Sequence, residues 1–212
     1  MRIRTTFGAV LLAPFLVAVV AEAQNYVSDP HFDNGLTSWM TSTQGNGAVT
    51  PFAAEGSPTA PSIHLVASRP NGGADGVAQV FQCATTMPAT IDGYARIKVN
   101  SAAGMGKSWI AYWFYTGSAC TGTLFATSNP PPTSNTGGVF VQFAATGVTP
   151  PMGALSYAVA VNAVANLADG DAIDVLTDDV RTGPAGSCVL LDESIPGVTA
   201  PPGTVVTQTV CQ

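Results

Sequence analysis

Along most of this chain apolar and polar side chains alternate with a period of two residues, which predicts strands. Lys107–Tyr115 (KSWIAYWFY) shows the pattern most strongly. Ile110, Tyr112 and Phe114 fall on one face, and Trp109, Ala111, Trp113 and Tyr115 on the other. One of these faces must meet a core. The second set of aromatics is then surplus to the folding of a strand in an open sheet. Ile91–Val99 alternates as cleanly, with Ile91, Gly93, Ala95, Ile97 and Val99 opposite Asp92, Tyr94, Arg96 and Lys98. The glycine-containing connection Asn100–Gly106 joins the two runs, and the expectation is an antiparallel hairpin. Further strands are expected near Ala48–Phe52 and over Ser62–Ala67, Gly76–Cys83, Val139–Ala145, Leu155–Ala165 and Asp171–Arg181. Ser128–Gly138 breaks the series, because three successive prolines remove ladder donors.

The N-terminus follows a different pattern. Arg2 and Arg4 precede an apolar run from Phe7 to Val20 and the small-x-small site Ala21-Glu22-Ala23. This predicts a signal peptide over residues 1–23 and a secreted product, extracellular or periplasmic, with no membrane span. With 7 Lys+Arg against 13 Asp+Glu, the chain is a poor match for nucleic acid or an anionic membrane. The 22 glycines and 16 prolines, set against few charges, fit an all-β protein with many turns. The expected fold is a jelly-roll-like antiparallel β-sandwich of about eight to ten strands over residues 24–181. Residues 182–212 would form an extended C-terminal tail. Four cysteines in an oxidising compartment imply two disulfides, with three possible pairings; zinc is disfavoured because no CxxC pair exists.

Asp29-Pro30-x-Phe32-Asp33-x-Gly35-Leu36-x-x-Trp39 resembles the opening of CenC-type carbohydrate-binding modules, in the galactose-binding-like β-sandwich superfamily. The resemblance continues in the strand ending Gln82-Cys83, in the Cys120-Thr121-Gly122 turn, and in Asp178-Asp179-Val180, where such modules commonly finish. It spans about residues 25 to 181, and its motifs are short. It implies that Phe32 and Trp39 pack in the sandwich. It also implies a structural calcium held by Asp33 with Asp178 or Asp179; the alternative is that Asp33 only caps a turn. Asp33 departs from the glutamate commoner at its position. The matched cysteines favour Cys83–Cys120, which leaves Cys188–Cys211 to close the tail. That pairing keeps each bridge within one structural unit.

The aromatic face carries the functional expectation. If the hairpin forms, Trp109, Trp113 and Tyr115 share a sheet face with Tyr94, Arg96 and Lys98. Flat rings stack on the C–H faces of sugars while charged neighbours bond hydroxyls. The reading is therefore a secreted, non-catalytic carbohydrate-binding module taking a poly- or oligosaccharide. The bland alternative is that a loop or the tail covers the same rings, as in a structural or surface-associated sandwich that binds protein or matrix. A hydrolase comes third. Neither His31 nor His64 sits in a nucleophile motif, and the acids from Asp169 to Asp179 read as turn residues or metal ligands.

Overall fold

The structure, a computed structural model, describes residues 25–128 and 131–186. The expected leader at 1–23 and the Cys188–Cys211 bridge lie outside the described residues. Among the described residues ten strands form two antiparallel sheets. Sheet A has the order β1 (Met40–Gln44), β4 (Gly76–Cys83), β9 (Ser156–Ala165), β6 (Lys107–Tyr115), β7 (Leu124–Ser128). Sheet B has the order β2 (Asn46–Phe52), β3 (Ser62–Ser68), β10 (Ala172–Pro184), β5 (Ile91–Ala103), β8 (Val141–Val148). The all-β sandwich expected from the pattern is the fold observed. Two strands were not anticipated, β1 and β7, whose short polar or mixed sequences lack a clear alternation.

The core lies between the sheets and follows the alternation. Ile110, Tyr112 and Phe114 of β6 and Tyr157, Val159 and Val161 of β9 enter it from sheet A. Ile63 and Leu65 of β3, Ile91 and Ile97 of β5, and Ile173 and Val175 of β10 enter it from sheet B. The opening turn closes one part of this core, as the resemblance implied. Phe32 and Trp39 are both buried with ring centroids 4.7 Å apart, and Trp39 Nε1 donates to the Asp29 carbonyl at 2.9 Å.

The expected hairpin does not form. β5 pairs with β10 and β8, whereas β6 pairs with β9 and β7 in the opposite sheet. The connection is therefore a crossover, held by Asp171, whose Oδ1 accepts the Met105 amide at 2.7 Å. Each strand has one strongly apolar face, and both faces are satisfied by meeting across the core. Local alternation reads the same in either arrangement, so it could not distinguish them. Most connections cross in this way; among sequential strands only β2–β3 and β6–β7 pair. The sandwich also extends past the expected boundary at Arg181. Thr182 is buried and its hydroxyl lies 3.0 Å from that of Tyr157, and β10 pairs with β5 as far as Pro184.

A disulfide joins Cys83 at the end of β4 to Cys120 in the turn after β6, with Cα atoms 5.8 Å apart. This is the first of the two expected bridges. Among the described residues no helix is long and apolar enough to cross a membrane.

Candidate functional site

The second face of β6 lies on the outside of sheet A, and its register places it beside specific neighbours. On the central strand β9, Asn162 stands between Gln79 of β4 and Trp109 of β6. Ala160 stands between Phe81 and Ala111, and Ala158 between Cys83 and Trp113. Three short side chains on β9 thus form a floor beneath larger flanking ones. Phe81 and Trp113 lean together across that floor, with ring centroids 4.9 Å apart and planes inclined at 52°. Ala158 and Ala160 are fully buried beneath them, while Phe81, Trp109, Trp113 and Tyr115 each keep part of their surface exposed.

Polar groups border these rings. Gln79 Nε2 donates to Asn162 Oδ1 at 2.7 Å, which orients both amides along the sheet. Lys107 Nζ lies 5.7 Å from the Trp109 ring centre, a cation–π distance. Partial burial raises the Tyr115 phenol above its ordinary value, so it remains a neutral donor and acceptor. At the Cys83 end the face opens into a hollow of about 350 Å³, lined by Cys83, Met87, Leu155 and Ser156 among others. None of the five strands of sheet A contains an Asp or Glu, and Lys107 is their only charge. This surface can stack on apolar ring faces and exchange neutral hydrogen bonds.

Phe81, Gln79, Asn162 and Lys107 were not picked out from the sequence. The strand Gly76–Cys83 was legible, but not that β9 would bring β4 and β6 together. The residues expected as polar partners lie elsewhere. Tyr94, Arg96 and Lys98 are on the outer face of sheet B, across the sandwich from Trp109, Trp113 and Tyr115, because β5 and β6 are in different sheets. There the segment between β2 and β3 folds over them. Arg96 Nη1 donates to Ser57 Oγ at 2.7 Å, and Lys98 Nζ pairs with Glu55 at 2.5 and 2.7 Å. Tyr94 is buried with the Arg181 guanidinium 5.7 Å from its ring centre.

Asp178 and Asp179 belong to this covered face as well. Simple alternation would send them to opposite faces. A bulge between Asp178 and Arg181, with Asp179 at φ 47°, keeps both outside the core and turns Val180 into it. Asp179 is taken up by two guanidinium groups, Arg181 Nε at 2.6 Å and Arg96 Nε at 3.5 Å, with the His31 ring 3.7 Å away. Asp178 accepts the Ser57 amide at 2.6 Å and the Asp179 amide at 2.7 Å. Burial pushes its carboxyl up to about 8, against the opposing pull of those two amides. Asp33, expected as a calcium ligand or else as the cap of its turn, is exposed, and the turn is capped by Asp29, which accepts the amides of Asp33 and Asn34 at 2.8 and 3.0 Å. Among the described residues no three His, Cys, Asp or Glu side chains converge as a metal site. This donor set does not fit the expected calcium, because guanidinium groups already neutralise Asp179.

His64 Nε2 lies 2.9 Å from Asp174 Oδ1, whose other partner there is the Asn100 amide at 2.8 Å. The pair is accounted for by sheet packing on the partly exposed side of β3 and β10. It shares no residue with the aromatic face.

No protein-family model matches the chain, and no curated protein matches it by sequence. Solved structures do match. TmCBM61 in complex with β-1,4-galactotriose aligns with a TM-score of 0.54 at 13% identity, covering 76% of this chain and 98% of that one. The C-terminal family 22 carbohydrate-binding module of Clostridium thermocellum Xyn10B gives 0.54 at 13% identity, covering 78% and 96%. The CBM22-1 xylan-binding domain of Paenibacillus barcinonensis Xyn10C gives 0.51 at 11% identity, covering 76% and 94%. The fold is that of β-sandwich carbohydrate-binding modules. At these identities the likeness is one of fold, and each of these modules lies almost wholly within the region aligned.

Proposed function

We propose that this chain is an exported, non-catalytic glycan-binding module of CenC-like type that holds a polysaccharide on the outer face of sheet A. The observation that carries the proposal is the partly exposed aromatic set Phe81, Trp109, Trp113 and Tyr115, gathered over a floor of small β9 residues. A surface of this kind suits the C–H faces of sugars, with Gln79, Asn162 and Tyr115 supplying hydrogen bonds to hydroxyls. The structural neighbours support the reading, since one is described with galactotriose bound and another as xylan-binding. Sheet A offers no carboxylate, so a two-acid hydrolytic mechanism has nothing to draw on there.

Titration of the exported protein against galactan and xylan oligosaccharides tests the proposal. Trp113→Ala removes the ring that meets Phe81 and should weaken glycan binding by about 1–3 kcal/mol, a hot-spot magnitude. Because Trp113 is also partly buried, its loss should cost stability as well, by less than the ~3–5 kcal/mol of a fully buried aromatic. Trp109→Ala, at the other end of the face, should lower affinity with a smaller stability change. No binding by the parent protein to any neutral glycan on an array would overturn the proposal.

A further inference from the structure

From Ser108 to Ala168 the sequence holds no charged side chain and no histidine. The structure places two strands of this stretch, β7 and β8, at one side of the sandwich, where β7 ends sheet A and β8 ends sheet B. Among the described residues, three of the eight large apolar side chains most exposed to solvent lie on or beside these two strands: Leu124, Val139 and Val141. Met152, in the connection from β8 to β9, is fully exposed. Among the described residues β8, VQFAATGV, pairs with β5 on one edge only; neither proline nor charge interrupts it, and its irregularity is a bulge at Thr146–Gly147, where the Gly147 amide donates to Asp92 Oδ1 at 2.7 Å. Edge strands in stable monomers are ordinarily blunted by lysine, proline, a β-bulge or a covering loop, and the run Val141–Ala145 ahead of the bulge has none of the first three.

We infer that this side is a self-association surface, and that β8 pairs antiparallel with β8 of a second copy about a two-fold axis. The charge distribution selects the occupant. The chain is acidic overall, so two copies repel wherever their charged surfaces face each other. The β8 side is where an identical molecule approaches with no like charge on either surface. A cationic partner would be drawn to the acidic surfaces instead, and a glycan would find few polar partners on this one. A two-fold matches the open amides and carbonyls of one β8 with those of the other, and it continues sheet B through both subunits. Pairing through sheet B leaves the outer face of sheet A open in each copy. A dimer would therefore carry two aromatic faces and gain in apparent affinity for a repeating polymer.

Sedimentation equilibrium of the full exported chain, from about 1 to 300 µM, tests the proposal directly. The expected result is a reversible monomer–dimer equilibrium that does not weaken as salt is added. Ala144 and Thr146 are exposed on β8, so Ala144→Lys/Thr146→Lys should fold normally. In a two-fold strand pair it sets like charges against each other and should weaken dimerisation by at least about tenfold. Circular dichroism, and a melting temperature equal to the parent's at the dilute, monomeric end of the range, establish that the variant is folded. Hydrogen exchange of residues 142–145 should show protection that rises with protein concentration in the parent and not in the variant. A monomer across the whole range overturns the inference. So does a dimer that the double lysine variant leaves intact, or protection of β8 that is independent of concentration.

Discussion

Removing the Cys83–Cys120 bridge should cost about as much as the chain entropy it withholds from the unfolded state. The bridge spans a sequence separation of 37. Taking the loop at that length, the chain-entropy relation gives about 13 cal/mol/K, or about 3.8 kcal/mol at 25 °C. Little of this should be offset by relaxation of the fold, because hydrogen bonds hold both ends independently. Cys83 pairs with Ala158 on the central strand of sheet A. The Cys120 amide donates to Ser156 Oγ at 2.8 Å, and that hydroxyl donates to the Gly117 carbonyl at 2.6 Å. The perturbation is the double variant Cys83→Ala/Cys120→Ala, since a single change would leave a thiol free to exchange with Cys188 or Cys211. Urea denaturation monitored by tryptophan fluorescence measures the loss. At about 2–4 °C per kcal/mol for a domain of this size, the melting temperature should fall by about 8–15 °C. A loss under about 1 kcal/mol with an unchanged m-value would refute the reasoning, because it would mean that the unfolded chain gains no freedom from the cut. A rise in m-value is expected, as the open loop exposes more surface.

Three further outcomes follow from the covered face and the core. Gly93→Ala builds a Cβ against the Tyr112 hydroxyl and 2.6 Å from the Arg181 carbonyl, so it should destabilise by about 1–3 kcal/mol in a thermal melt. Asp178, pushed up to about 8 by burial, holds a proton in the folded state that the unfolded chain has released above its ordinary value near 3.8. Its contribution is therefore complete below that ordinary value and is lost as pH rises toward about 8. Stability measured across this window should fall with rising pH, and Asp178→Asn should flatten the slope; an unchanged slope sinks the assignment. EDTA should leave the melting temperature unchanged, because Arg96 and Arg181 neutralise Asp179; a drop reversed by added calcium would show a cation site after all.

Much of this molecule was decided by the chain's own alternation. A strand cannot hide which of its side chains are apolar, so Ile110, Tyr112 and Phe114 were assigned to the core before any partner strand was known. The same holds for Ile91 and Ile97, and for the surplus character of Trp109, Trp113 and Tyr115. The opening turn was legible through Phe32 and Trp39, and the Cys83–Cys120 bridge through its likeness to a known motif. Parity says which way a side chain points, but not which sheet its strand joins. That choice rests on pairings between residues far apart in sequence: β6 with β9, and β5 with β10. It alone separated Arg96 and Lys98 from the tryptophans and brought Phe81 to Trp113. The bulge at Asp179 is likewise tertiary, since only packing against the opening turn and the segment carrying Ser57 makes its positive φ worthwhile. Local physics set the faces of the strands, and non-local pairing decided which faces met.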